Sequence, residues 1–307
     1  MPAGWLWAAF TIIAAFTQTL RNAMQRELTA SLGTVGATHV RFLFGFPFAL
    51  VFLAGLLLAT GAPLPRPGPS FWPWVIGGAF TQIAGTALML AAMGERSFVV
   101  TIAYLKTEPV QVAIFGLLFL GDRVTWPMMA AIVIATAGVL IMSATPLPLA
   151  AGKRARGIGP TLRPTLLGLA AAAMFALSAI GFRGAILGLA PVNNYVMAAT
   201  FTLTIGIAMQ AVLLSLYLGL RKPSVLLAIF GAWKPSLFAG FTGAVASQFW
   251  FLAFALATAA SVRTLALIEV LFAQLIARFA FAQRTSAREA VGMILVVGGV
   301  ALLILSH

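Results

Sequence analysis

The sequence lacks cysteine altogether and contains only two histidines, His39 and His307, in 307 residues. Without cysteine there can be no disulfides, no thiolate metal ligands and no cysteine nucleophile. Two histidines far apart do not supply a clustered metal site. The chain also has no nucleotide-binding P-loop motif. We therefore expect no metal and no cofactor.

Charge is scarce as well, and acidic residues most of all. Charged residues make up 8% of the chain, six of them acidic and nineteen basic, whereas a soluble domain carries about 25%. Hydrophobic residues make up 62%, and the mean hydropathy is +1.05. The basic residues lie mostly at the ends of apolar runs, where they set topology, so the net charge of +13 does not indicate nucleic acid as a partner. This composition predicts an integral membrane protein.

The apolar runs are long enough to cross a bilayer as helices. A transmembrane helix needs about 20 apolar residues. We predict an all-α integral membrane protein whose ten transmembrane helices span about residues 4–24, 34–60, 71–93, 97–120, 125–145, 165–188, 193–219, 235–257, 262–282 and 286–305. The initial MPAGWLWAAF lacks the charged lead and cleavage motif of a signal peptide and is interpreted as the start of the first span.

The chain repeats itself. A shift of 161 residues brings Glu108 onto Glu269, Arg123 onto Arg284 and Gly138 onto Gly299. The one long connection, rich in proline, glycine and basic residues, separates the halves, so we predict units at 1–146 and 165–307 joined by a linker at 147–164. Because each unit has an odd number of spans, the second enters the membrane from the opposite side. Such inverted repeats are typical of transporters with a site near the midplane.

Ionisable residues interrupt the fourth predicted span near its centre. Lys106 and Glu108 lie there, although each charge costs roughly 2.5 to 3.5 kcal/mol in a bilayer. Tyr104, Glu108 and Gln111 share one helical face, which must contact protein or water. Lys106 points elsewhere, and Glu269 is its candidate partner if the fourth and ninth helices pack together. These residues either bind and couple substrate or fix helix packing through buried pairs.

Other polar residues lie scattered among apolar and aromatic neighbours, as the walls of a binding site require. Arg263 and Gln274 lie on one face of the ninth predicted helix, together with Arg278, and an arginine there suits a carboxylate. The alternative is that the two arginines extend toward opposite interfaces. The remaining candidate ligands, which helix packing would explain equally well, are Gln18, Arg21, Gln82, Gln248 and Trp250. Pro109 is expected to kink the fourth helix, either statically or as a gate.

At this point the sequence resembles the drug/metabolite transporter superfamily in its ten-helix EamA-like branch. The residues that carry the resemblance are Tyr104-Leu105, Glu108-Pro109-Val110, Leu120-Gly121-Asp122-Arg123, Gly138 and Gly299, with Arg41 early in the second span. The resemblance implies structural or hinge roles for Arg41, Pro109, Asp122 and Arg123. The chain departs from the pattern where Asp122 replaces glutamate, Gln283 takes the equivalent place and Val270 replaces proline, so the second half carries a weaker signature.

We expect a secondary transporter that moves a small amphipathic metabolite, an amino acid or similar compound, by alternating access and in the export direction. The alternative substrate is a cationic or aromatic drug; a membrane enzyme or a channel is disfavoured because no catalytic cluster or ring of like residues is present. Expected partners are the small-molecule substrate, the lipid bilayer and, if transport is coupled, protons at Glu108 or Glu269. The expected form is a monomer in the cell membrane, the inner membrane in a bacterium. Loop charges place both termini outside, whereas the resemblance implies cytoplasmic termini.

Overall fold

The computed structural model describes residues 4–95, 104–143, 162–189, 194–272, 274 and 286–306. These residues are almost entirely helical, with no strand among them. The elements are α1 (Leu6–Leu43), α2 (Gly45–Thr60), α3 (Phe71–Glu95), α4 (Glu108–Phe115) continued by a π-helical turn (Gly116–Leu120), α5 (Trp126–Ser143), α6 (Leu162–Gly188), α7 (Tyr195–Arg221), α8 (Pro223–Gly231), α9 (Trp233–Leu256), α10 (Ala259–Leu265) followed by a 3-10 turn (Ala266–Ile268), and α11 (Ala287–Leu305).

Six helical stretches in the described part of the chain are long and apolar enough to cross a membrane: Glu27–Thr60, Phe71–Met93, Thr165–Gly188, Tyr195–Arg221, Trp233–Leu256 and Ala287–Leu305. Two shorter apolar helices, Glu108–Leu120 and Trp126–Met142, accompany them. The chain is therefore an all-helical, multi-pass membrane protein. The first predicted span at 4–24 lies within α1, and parts of the predicted spans at 97–120 and 262–282 lie outside the described residues, as does most of the predicted linker at 147–164.

The first two predicted spans are joined by a single residue. Helix α1 continues from Leu6 to Leu43, but Gly33 has φ 68° and ψ 175°, a backbone conformation that only glycine adopts readily. Across this break, Gln25 Nε2 donates a hydrogen bond to the carbonyl of Ala37 at 3.0 Å. The break thus separates two helical arms without any intervening loop.

Three helix pairs form the most extensive contacts: α3 with α6, α1 with α9, and α5 with α11. In the register of the sequence repeat, α3 corresponds to α9 and α6 corresponds to the first arm of α1. The first two pairs are therefore equivalent to each other, and α5 with α11 is equivalent to itself.

The α5 and α11 pair meets through glycines at which any side chain would collide with backbone. A Cβ built on Gly138 would lie 2.7 Å from the Gly292 carbonyl oxygen and 2.8 Å from the Val296 nitrogen. A Cβ built on Gly299 would lie 2.9 Å from the Ala131 carbonyl oxygen and 2.7 Å from the Ala135 nitrogen. The shift of 161 residues converts the first set of contacts into the second, so the two helices approach each other reciprocally.

Candidate functional site

The fourth predicted helix is interrupted at its ionisable residues. Lys106 and Thr107 form a turn, and α4 begins at Glu108 with Pro109 in its first turn. A proline in the first helical turn has no intrahelical hydrogen bond to lose. The expectation that Pro109 kinks a continuous helix is therefore wrong: it starts a helix segment, and the irregular backbone lies just before it.

The ninth predicted helix is interrupted at the matching place. Helix α10 ends at Leu265, and the chain passes through the 3-10 turn Ala266–Ile268 before α-helix resumes at Glu269. In the register of the repeat, this turn corresponds to residues 105–107. Glu108 and Glu269 are therefore each the first residue of a resumed helix, where a carboxylate interacts favourably with the positive end of the helix dipole.

Two ion pairs connect the interruptions. Lys106 Nζ pairs with Glu269 Oε1, with side chains only 11% and 12% exposed. Arg263 Nε lies 3.0 Å from Glu108 Oε1, although neither atom has an aligned hydrogen-bond partner among the described residues. The pairing of Lys106 with Glu269 expected from the repeat is thus confirmed, and Arg263 is found as the partner of Glu108. Each carboxylate is matched by a cation from the other half of the sequence.

Arg263 also lies against aromatic rings. Its guanidinium carbon is 4.4 Å from the ring centroid of Trp250 and 5.4 Å from that of Phe254. Trp250 is only 3% exposed, and its Nε1 donates a hydrogen bond to Gln18 Oε1 at 3.0 Å. These contacts fix the position of the arginine within the protein, so the alternative that Arg263 extends to a membrane interface does not hold.

Two further arginines are buried close by. Arg21 is 2% exposed, and its Nη2 donates to Asn22 Oδ1 at 2.8 Å. Arg41 is 4% exposed, and it contacts the hydroxyls of Thr86 and Ser247 only at 3.4 and 3.5 Å. Neither makes an ion pair with a described carboxylate. The sequence suggested a structural role for Arg41, but the structure places its side chain beside Arg21.

These groups enclose a cavity of about 60 Å³, which is room for a few water molecules. Its polar lining consists of the four cations Arg21, Arg41, Lys106 and Arg263, the carboxylates of Glu108 and Glu269, and the amides of Gln18, Asn22 and Gln82, together with the hydroxyls of Ser178 and Ser247. Aromatic walls are provided by Phe175, Phe182, Trp250, Phe251 and Phe254. A charged, amide-rich and aromatic cavity of this kind suits a small molecule with a polar head and an apolar body.

Several predicted site residues lie outside the cavity lining. Thr165 Oγ1 donates to the Tyr104 hydroxyl at 3.0 Å, Gln111 Nε2 donates to Thr107 at 3.2 Å, and Gln248 Nε2 donates to Thr200 at 2.8 Å. These bonds connect neighbouring helices or turns. Gln274 is half-buried but also not part of the lining. Arg278 falls outside the described residues.

Asp122 and Arg123, adjacent in sequence, have different surroundings. Asp122 Oδ1 lies 3.5 Å from Arg183 Nη2. Arg183 in turn donates to the carbonyl oxygen of Phe254 at 2.6 Å, near the end of α9. Arg123 is exposed. Asp122 therefore contributes to a buried contact between helix ends, consistent with a structural position, whereas the surroundings of Arg123 suggest none.

Residues that sequence reasoning did not assign to the site include Arg41, Asn22, Ser247 and the phenylalanines of the wall. Arg41 carried a usable signal, because a cation within an apolar helix requires a partner or a cavity. The phenylalanines carried none, since most of the 24 in the chain read as lipid-facing or core residues. Among the described residues, no group of three or more His, Asp or Glu side chains could hold a metal ion.

Comparisons with known proteins agree with this architecture. The model of the EamA-like transporter family matches residues 5–144. No curated protein matches the chain. One crystal structure of a protein is similar over 99% of this chain and 97% of its own, with a TM-score of 0.70 and 17% identity, which establishes likeness of fold alone. The family resemblance found in the sequence is confirmed: this multi-pass membrane protein carries an EamA-like transporter unit over residues 5–144, consistent with the drug/metabolite transporter superfamily.

Proposed function

We propose that this protein is a secondary transporter that moves a small amphipathic metabolite, an amino acid or similar compound, across the cell membrane by alternating access. In this proposal ten transmembrane helices form two inverted five-helix repeats, residues 1–146 and 165–307, and the cavity between them holds the substrate. The direction proposed is export, the location in a bacterium is the inner membrane, and the protein acts as a monomer.

The repeat proposal is supported by equivalent contacts. The contacts of Gly138 with Gly292 and Val296 recur, in the register of 161 residues, as the contacts of Gly299 with Ala131 and Ala135. A two-fold axis lying in the membrane plane produces reciprocity of this kind between inverted repeats. The equivalence of the α3–α6 and α1–α9 pairs supports the same axis.

The observation that carries the transport proposal is the crossed pairing of Lys106 with Glu269 and of Arg263 with Glu108 beside the cavity. Each ion pair joins the two proposed repeats. Alternating access requires the repeats to separate on one side of the substrate at a time. Ion pairs between repeats can open and re-form as the halves move, and the charged groups of a substrate can compete for their members.

The walls of the cavity support an amphipathic substrate. A carboxylate finds arginine, an ammonium finds glutamate, and an apolar side chain finds Trp250 and the surrounding phenylalanines. An aromatic drug would suit the same walls. A cationic drug is less favoured, because the cations of the lining outnumber its carboxylates. An EamA-like transporter family match also implies a role other than catalysis.

The coupling ion is proposed to be a proton bound at Glu108 or Glu269, with facilitated exchange as the alternative. Either carboxylate would release its cationic partner when protonated, because the neutral acid no longer attracts it. Imposing a pH gradient across proteoliposomes separates the two modes. Proton coupling predicts substrate accumulation driven by the gradient, whereas exchange predicts only equilibration with substrate on the other side.

The central test is counterflow of labelled amino acids in proteoliposomes, comparing the wild type with Glu108→Gln. We expect the variant to abolish saturable counterflow while the protein still inserts in the membrane. Glu27→Gln is the matched control, because Glu27 is exposed and lies outside the cavity lining. Normal counterflow by folded Glu108→Gln protein would contradict the central site. Linear, unsaturable flux would favour a channel instead.

A further inference from the structure

The cavity carries more positive than negative charge. Of the four cations in its described lining, Lys106 and Arg263 are paired with the two glutamates. Arg21 and Arg41 are left without a described carboxylate. An unpaired buried charge is costly in free energy, and neighbouring guanidinium groups also repel one another. The arrangement therefore calls for an anion.

The hydrogen bonds of the two arginines leave donors available. Nε and Nη1 of Arg21 are buried and have no hydrogen-bond partner among the described residues. Its one side-chain bond, to Asn22, and the long contacts of Arg41 with Thr86 and Ser247 all involve neutral groups. Guanidinium groups bind carboxylates through two parallel hydrogen bonds, and such bonds are stronger than those to neutral acceptors.

The helix backbone places the two arginines side by side. Both come from α1, on opposite sides of the break at Gly33, and both stems lie against Gly243 of α9. A Cβ built on Gly243 would be 3.2 Å from Cδ of Arg21 and 3.4 Å from Cγ of Arg41. A larger residue at this position would force the arginines to shift. Glycine therefore leaves room for both side chains at one end of the cavity.

Comparison of the halves shows why Arg21 remains unpaired. At a shift of 162 residues, Arg21 corresponds to Arg183, which is paired with Asp122 and donates to a helix-end carbonyl. The sequence position that corresponds to Asp122 in the second half is Gln283, which carries no charge. The first half therefore neutralises Arg183 with an acid, while the second half offers no equivalent acid for Arg21.

We infer that Arg21 and Arg41 form the subsite for the carboxylate of the substrate, and that the preferred substrate is a net organic anion with an apolar body. This inference rests on the proposed transport function and narrows its substrate class. The carboxylate lies between the two guanidinium groups, and the apolar body lies toward Trp250 and Phe254. A zwitterion brings no net negative charge and leaves the excess of the cavity uncompensated.

Thermal stabilisation of the detergent-purified full-length protein tests the subsite, because a ligand that binds only the folded state raises the melting temperature. The probes are benzoate, benzamide and benzamidine, which have nearly the same shape and are anionic, neutral and cationic. We expect benzoate to stabilise the wild type and the other two to have little effect. Arg21→Gln and Arg41→Gln should each weaken apparent benzoate affinity by roughly 10- to 100-fold.

Two further variants keep the test decisive. Arg66→Gln removes an exposed arginine outside the cavity and should leave benzoate binding unchanged. If a glutamine variant fails to fold, Arg21→Lys and Arg41→Lys retain the charge but lose the planar fork, and they should still weaken benzoate binding. Benzoate stabilisation that survives both substitutions would overturn the subsite. So would equal or larger stabilisation by benzamide or benzamidine, or no stabilisation by benzoate.

Counterflow distinguishes a failure of this subsite from a failure of the transport function. Stabilisation by benzoate that depends on both arginines, without saturable counterflow of any tested amino acid or benzoate, leaves the subsite standing and contradicts transport. Saturable counterflow of amino acids without any benzoate stabilisation leaves transport standing and overturns the anion subsite.

Discussion

Replacing Lys106 with methionine is expected to destabilise the protein by about 3 to 5 kcal/mol, because the substitution leaves Glu269 charged and buried. The magnitude follows from burial: both side chains are only 11% to 12% exposed, whereas an exposed ion pair contributes about 0 to 1 kcal/mol. Glu269→Gln should cost a similar amount by leaving the lysine unpaired. The double variant removes both charges and should be less destabilised than the sum of the single variants by about 2 kcal/mol or more.

The assay is unfolding in mixed detergent micelles with increasing dodecyl sulfate, followed by the helical circular dichroism signal. Lys222→Met is the matched control, since Lys222 is exposed, and it should change stability by about 0.5 kcal/mol or less. Strictly additive effects of the two single substitutions would refute the pairing. So would a Lys106→Met variant as stable as the Lys222→Met control.

Three further outcomes are expected. In Glu108→Gln, transport per folded molecule should fall at least about tenfold because Arg263 loses its counter-charge; counterflow equal to the wild type would oppose this. Gly138→Ala should destabilise by about 1 to 3 kcal/mol by overpacking, while Gly55→Ala, where a Cβ meets open space, should not; equal thermal midpoints for the two would contradict the close approach. Arg183→Gln should lower the melting temperature more than Asp122→Asn does, since it also removes the hydrogen bond to a helix-end carbonyl; the reverse order would show that the carbonyl contact contributes little.

The sequence was informative where the repeat register applied. Composition predicted a helical membrane protein, and the alignment of Glu108 with Glu269 suggested that the fourth and ninth helices meet. That meeting made Glu269 a partner for Lys106, as the ion pair confirms. These inferences needed only charge, hydropathy and a fixed shift. They did not depend on how either helix is built locally.

The pairing of Arg263 with Glu108 could not be derived in the same way. The ninth helix was treated as continuous, so Arg263 was placed on a face shared with Gln274 and away from Glu269. The 3-10 turn at Ala266–Ile268 changes the angle between successive residues and invalidates that wheel. Hydropathy gives no warning of such a turn, because its residues are as apolar as those of the flanking helix.

The polar stripe on the fourth helix failed for a related reason. Tyr104 precedes the turn at Lys106 and Glu108 follows it, so the two do not share one regular helical face. Tyr104 instead bonds Thr165, while Glu108 lines the cavity. Arg41 was assigned a structural role by resemblance alone. Its position beside Arg21 depends on the turn at Gly33, which brings the second arm of α1 back toward the first.

That one-residue turn bears on how the protein enters the membrane. Gln25 is fully buried, and its amide nitrogen is satisfied by the carbonyl of Ala37 on the other side of Gly33. Residues on either side of this break complete each other's hydrogen bonding, and no polar loop separates them. A first arm inserted alone would expose the Gln25 amide to lipid at a cost of several kcal/mol. The two arms of α1 should therefore leave the insertion machinery together, as one preformed helical hairpin.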